Sequence, residues 1–115
     1  SKDKQMAIYN SNISVTGTIL LTVPASKKYA ITTILICNNA TDDGTGANDT
    51  TFDLHFVPNG GARQDANQVL TGLKVSAADT FTFNVERIIL EEGDQVIVVS
   101  GSPANLSATI SYLEV

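Results

Sequence analysis

An all-β fold, a single antiparallel β-sandwich of jelly-roll type with about seven or eight strands, is what three features of this sequence predict. Thr is the commonest polar residue and Val and Ile are frequent, so Cβ branching favours a pleated surface over a helix. Apolar and polar residues alternate over strand-length windows. Clusters of Gly, Pro, Asn, Asp and Ser separate those windows, and no segment carries a convincing amphipathic helix.

The elements follow in chain order. Residues 1–12, SKDKQMAIYNSN, are polar and poorly patterned, and they predict an N-terminal arm that orders only against a neighbour, with a frayed terminus as the alternative. The domain proper then covers 13–115. Ile13 to Val23 carries Ile19, Leu20, Leu21 and Val23 and stops at Pro24, which has no N–H to give a ladder. The turn PASKK leads to Tyr29. Ile31 to Cys37 and Val96 to Val99 are nearly continuous apolar runs, which predicts central strands covered on both faces by a second sheet or a neighbouring subunit. In Thr51 to Val57, Phe52, Leu54 and Phe56 alternate with Asp53 and His55, placing the rings inward and the polar pair outward. Val69, Thr71, Leu73 and Val75 form a weaker alternation interrupted at Gly72. Phe81, Phe83 and Val85 alternate with Thr80, Thr82 and Asn84, and Leu106, Ala108, Ile110 and Tyr112 alternate with Ser107, Thr109 and Ser111. Both read as strands with one wet face. Pro58-Asn59-Gly60-Gly61 and Gly101 to Asn105 predict reversals, and Glu91-Glu92-Gly93-Asp94 predicts a hairpin between Ile88–Leu90 and Val96–Val99.

Composition excludes several functions. The 115 residues suffice for one domain with a real core. Seven Lys and Arg against twelve Asp and Glu leave a net charge of −5, and Lys2, Lys4, Lys27, Lys28, Arg63, Lys74 and Arg87 are scattered. Neutralising phosphates needs clustered cations, so no nucleic-acid partner is expected. No apolar run reaches the roughly 18–20 residues that cross a bilayer, so no membrane partner is expected either, and SKDKQMA lacks the apolar stretch of a signal peptide. One cysteine, Cys37, and one histidine, His55, exclude an intrachain disulfide and a Cys/His zinc site.

Few residues suggest chemistry. Asp42, Asp43, Asn48 and Asp49 lie in the most polar stretch and offer oxygens of the kind calcium takes, but the EF-hand spacing and its closing Glu are missing, so a solvated loop is the plainer reading and no metal or cofactor is expected. His55 and Asp53 share a strand face at i, i+2 without an accompanying nucleophile, which favours a surface ion pair over catalysis. Cys37 ends an apolar run and reads as a small hydrophobe. Asn12, Asn39, Asn48 and Asn105 each open an Asn-x-Ser/Thr triplet, a pattern that a Thr- and Asn-rich chain produces easily by chance. Glu91 and Glu92 are adjacent in a turn and point apart, unlike a glycosidase pair. Tyr9, Tyr29 and Tyr112 serve sugar stacking only if coplanar and exposed, so packing is the expectation.

The stretches LTVPASKKYAITTILICNNA, TFDLHFVPNGG, ADTFTFN and IILEEGDQVIVVSGSPANLSATISYLEV together resemble a group of small all-β structural proteins from the virions of tailed bacteriophages. The likeness spans roughly residues 16–115 and rests on Val23-Pro24-Ala25 before the Tyr29 strand, on Phe52-x-Leu54 leading to Val57-Pro58-x-Gly60-Gly61, and on Leu90-Glu91-x-Gly93-Asp94 before a Val-rich strand. The Asp42 to Asp49 stretch looks like an insertion in that pattern. The resemblance implies a non-enzymatic virion protein, most simply a capsid decoration or cement subunit bridging its neighbours. Its implied partners are itself, as a homotrimer, and other virion proteins such as the major capsid protein. A neck, tail or fibre-associated component is the alternative in the same class, and a carbohydrate-binding module the alternative from another.

Overall fold

The structure, a computed structural model, describes residues 6–115, excepting the side chains of Met6, Glu86 and Arg87. Eight strands run in order: β1 (Met6–Asn12), β2 (Thr18–Thr22), β3 (Lys28–Asn38), β4 (Thr50–Val57), β5 (Gln68–Val75), β6 (Thr80–Glu91), β7 (Gln95–Ser100) and β8 (Leu106–Glu114). A single 3-10 turn, Asp65–Asn67, precedes β5. The strands form two four-stranded sheets, ordered β1-β8-β3-β6 and β2-β7-β4-β5. First pairs with last, second with seventh, third with sixth and fourth with fifth, all antiparallel. That nesting is a long hairpin rolled once across two layers, the jelly roll that the alternating pattern predicts. Among the described residues no helix is long and apolar enough to cross a membrane.

The nesting corrects one expectation. Glu91-Glu92-Gly93-Asp94 makes the expected reversal, but β6 and β7 belong to different sheets, so the turn is a crossing between layers and not a hairpin. Only β4 and β5 are both consecutive and paired. At the crossing, Gly93 holds φ +82°, and a Cβ there would run into the Asn59 amide. Asp94 organises this end of the sandwich by accepting from the backbone N–H of Asn59 (2.9 Å) and of Glu91 (2.8 Å). At the opposite end, buried Asn38 donates to the carbonyls of Asn48 (2.8 Å) and Val75 (3.0 Å), tying β3 to the start of β4 and the end of β5.

A second departure concerns the N-terminus. Met6 to Asn12, assigned by pattern to an arm, form β1 and pair with Leu113 to Ser107 of β8 in the same chain. Alternation was hidden there because an edge strand needs only one neighbour and little burial to be ordered. The rest of the expected arm, residues 1–5, lies outside the described residues.

The core fills the space between the layers with the inward set of each strand, including Ile31, Ile34 and Ile36 of β3, Phe52 and Leu54 of β4, Val96 and Val98 of β7, and Leu106, Ala108 and Ile110 of β8. β3 and β7 are interior in their sheets, as the apolar runs predict. On the outer face of β3, Leu35 and Cys37 are half-buried, and the described residues place no third layer over them. In β5 the alternation breaks at a bulge. Leu54 faces Leu70 while Phe52 faces Leu73, which sets Thr71 and Gly72 against Asp53 alone, one residue extra, with Gly72 at φ +58°. Leu70 therefore turns inward in place of Val69 and Thr71.

Candidate functional site

Two edge strands, β1 from one layer and β2 from the other, lie on the same flank of the sandwich. From Met6 to Ser26 the sequence has no charged residue in 21 positions, although the chain as a whole is 17% charged. Four large apolar side chains are open to solvent on these strands and the loop joining them: Ile8 (65% exposed), Tyr9 (51%), Val15 (48%) and Ile19 (53%). Between the edges lies a shallow cleft of about 300 Å³, lined by Tyr9 and by Ile19 to Thr22. Tyr9 is directed inward in register with Ile110, while Ile8, its neighbour, faces out beside Ser111. The reason for this exposure is topological. Ile19 pairs with Ile97 on the outer face of β7, so the alternation that buries Leu20 presents Ile19, and the register shift that follows turns Leu21 inward beside Val96.

The opposite flank is different in kind. Its edges are β5 and β6. Their sequences carry Lys74, Glu86, Arg87 and Glu91, and β5 is interrupted by the Gly72 bulge. Charges and bulges are the usual means of keeping a sheet edge from pairing with another chain. The β1 edge has neither.

The stretch singled out for calcium does not assemble into a cup. Asp42 accepts from the Gly44 N–H (2.9 Å), and Asp43 takes both the N–H (2.9 Å) and the hydroxyl (2.7 Å) of Thr45, as polar turns do. Those Thr45 bonds hold the Asp43 carboxyl below its ordinary pKa. Asp49 faces elsewhere, accepting from the Ala77 N–H (3.0 Å) and pairing with Lys74 (3.3 Å), and the Ala77 bond followed by Lys74 lowers its pKa as well. Asn48 donates to the Thr41 carbonyl. Among the described residues, no group of three or more His, Cys, Asp or Glu is placed to hold a metal ion.

His55 is not on a wet face beside Asp53. Asp53 accepts from the Gly72 N–H at 2.7 Å, and His55 is only 5% exposed. The segment 58–67 folds back over the outer face of this sheet, burying His55 together with Val57 and Ile97, two apolar residues outside the main core. Asn67 at its end bonds His55 Nδ1 at 2.8 Å. The same Asn67 oxygen accepts from the Gln64 N–H, and its amide donates to the Ala62 carbonyl, so the oxygen faces the ring and Nδ1 is the donor. A histidine so placed is a structural pin. The sequence offered one signal of it, the odd position of Val57, an apolar residue on the face assigned to water.

The remaining candidates are dispersed. Tyr29 is buried and stacks on Tyr112 with centroids 4.4 Å apart, while Tyr9 lies apart on the uncharged flank, so the three do not form a platform. Burial, and then Tyr112, raise the Tyr29 pKa. Cys37 is a free thiol whose Sγ approaches Asn39 Oδ1 at 3.4 Å. Asn12, Asn39 and Asn105 border one shallow cleft of about 310 Å³ at an end of the sandwich, and Asn48 is not part of its lining. Glu92 accepts from the Ser26 N–H at 2.9 Å and braces the PASKK turn, which separates its work from that of Glu91. No protein-family model matches the chain, and no curated protein matches it with significance.

Proposed function

We propose that this chain is a non-enzymatic structural protein of a bacteriophage virion, a decoration or cement subunit that bridges copies of itself and neighbouring virion proteins such as the major capsid protein. The observation that carries the reading is the uncharged flank, where two open sheet edges and four exposed apolar side chains coincide on a chain of net charge −5. Exposed apolar area of this kind marks surfaces that another molecule covers. The acidic remainder keeps free subunits apart in solution until that flank is used. Jelly rolls serve in capsids and in lectins alike, so the fold is compatible with the reading without selecting it.

A neck, tail or fibre position uses the same flank and differs in copy number. The carbohydrate-binding reading draws less support, because Tyr29 and Tyr112 stack on each other and the Asp42 to Asp49 carboxylates bond their own loop and Lys74. Quantitative gel analysis of purified particles tests the proposal. Tens to hundreds of copies per particle are expected for a cement protein and a handful for a neck or tail piece. Absence from purified particles refutes the virion reading, and a thermal shift on adding glycans favours the lectin instead.

A further inference from the structure

We infer that the free edge of β1 is a strand-pairing surface for a second copy of this chain, joining two sandwiches about a two-fold axis into a continuous eight-stranded outer sheet. The inference rests on the reading of the chain as a self-assembling structural protein and names the surface by which copies meet.

The backbone itself specifies the occupant. Among the described residues β1 pairs with β8 alone, so the N–H and C=O groups along its other side face outward in a straight seven-residue run without a register shift. Among polypeptide elements it is another extended strand that matches such a row, because its donors and acceptors repeat at strand spacing. The other edges are poorer partners. β2 is five residues long and shifts register between Ile19 and Leu21, β5 is broken at Gly72, and β6 is charged in sequence and shifts register against β3. The complement of β1 within this molecule's own surfaces is therefore β1.

Charge points the same way. Copies of a −5 chain repel each other wherever their acidic surfaces face, but 6–26 contribute no charge, so two copies meet there without like-charge repulsion. A cationic partner gains nothing from this flank. A two-fold contact also uses one patch twice, which is the commonest way identical subunits associate. In a register centred on Tyr9, the middle residue of β1, all seven positions of both strands join the ladder, and Ile8 of each copy moves from solvent to the continuous sheet face. The exposed Ile19 of β2 and Val15 of the β1–β2 loop lie on the same flank.

The test is the mass of the isolated full-length chain in solution across a concentration series. The expected result is a dimer, twice the chain mass. Ile8→Lys places a cation of each copy beside the axis, and its mass is expected to halve while circular dichroism stays that of a sheet protein, since Ile8 is exposed and outside the core. Ile8→Glu behaves likewise, and mixing the two variants restores the dimer. Val69→Lys, at an exposed position of the β5 edge, leaves the dimer intact. A wild-type chain that stays monomeric at all concentrations, a trimer such as the resemblance implies, or a dimer indifferent to Ile8→Lys overturns the inference. Copy number in particles is a separate measurement: many copies of a chain that is monomeric when isolated remove the β1 contact and leave the virion reading standing.

Discussion

Asn67→Ala removes the residue that fastens segment 58–67 over the second sheet. Three hydrogen bonds go with it: to His55 Nδ1, to the Gln64 N–H and to the Ala62 carbonyl. At a net ~0.5–1.5 kcal/mol each, with the 3.2 Å Gln64 bond the weakest, their loss amounts to about 2 kcal/mol. Part of that loss belongs to the imidazole, left with an unpaired Nδ1–H beneath the cover. Against a total stability of roughly 5–15 kcal/mol the change is large, and it lowers the melting temperature by about 8 °C. Urea unfolding is expected to show a reduced midpoint with an unchanged slope, the mark of a lost interaction rather than a changed denatured state. The segment itself reports more directly. Arg63 lies within it, its Nη1 bonded to the Thr16 carbonyl, so native-state trypsin cleavage there rises as the segment lifts, by roughly 30-fold if the whole 2 kcal/mol is local. His55→Ala should cost a similar amount, and the double variant less than the sum. If Asn67→Ala shifts neither the midpoint nor cleavage at Arg63, the pin is not what holds the segment down, and burial of Val57 and Ile97 alone must do so.

Phe52→Ala empties the centre of the core, where the ring sits 5.7 Å from that of Phe81 at 1% exposure, and calorimetry should record a loss of about 3–5 kcal/mol; a loss under 1 kcal/mol contradicts the packing described. Ala78→Gly is expected to stabilise by about 0.5–1 kcal/mol, because Ala78 holds φ +63° in the Ser76–Asp79 turn and Gly relieves more strain than the unfolded chain's added freedom costs. A destabilised Ala78→Gly variant counts against that turn geometry. The depressed carboxyls of Asp43 and Asp49 add stability that is fully present above the ordinary carboxyl pKa, near 3.8, and is lost as pH falls through their lower folded values. Acid titration of unfolding should therefore steepen below about pH 4, and Asp49→Asn should flatten that limb. Unchanged curves for Asp49→Asn would show that Ala77 and Lys74 do not favour the ionised form.

The strands were legible where alternation had a wet face to contrast with a dry one. Phe81 to Val85 and Leu106 to Ile110 read correctly because Thr, Asn and Ser mark the outer positions without ambiguity. Local pattern misleads where burial comes from something other than the opposing sheet. His55 and Val57 are covered by a segment whose path depends on the Arg63 bond to Thr16 and the Asn67 bond to His55, and no local window contains both pairs. β1 is obscure in the sequence for the opposite reason, since an edge strand buries little and its polar positions resemble an arm. The candidate surface was half legible: the charge-free run from Met6 to Ser26 is plain in the sequence, but its meaning depends on two edges meeting on one flank.

The sequence by itself determined an all-β chain of two layers, because Cβ branching and a two-residue period leave few other ways to bury its apolar half. Tertiary structure alone decided which strands became neighbours. The turn at Glu91 to Asp94 has the residues of a reversal either way, and only the placing of β6 in one layer and β7 in the other makes it a crossing. The physical reason is that turn chemistry is local, whereas the choice of partner strand is set by side chains up to a hundred residues apart that must fill one common interior. The same choice leaves β1 and β2 at the margin of their sheets, with Ile8, Tyr9, Val15 and Ile19 facing water.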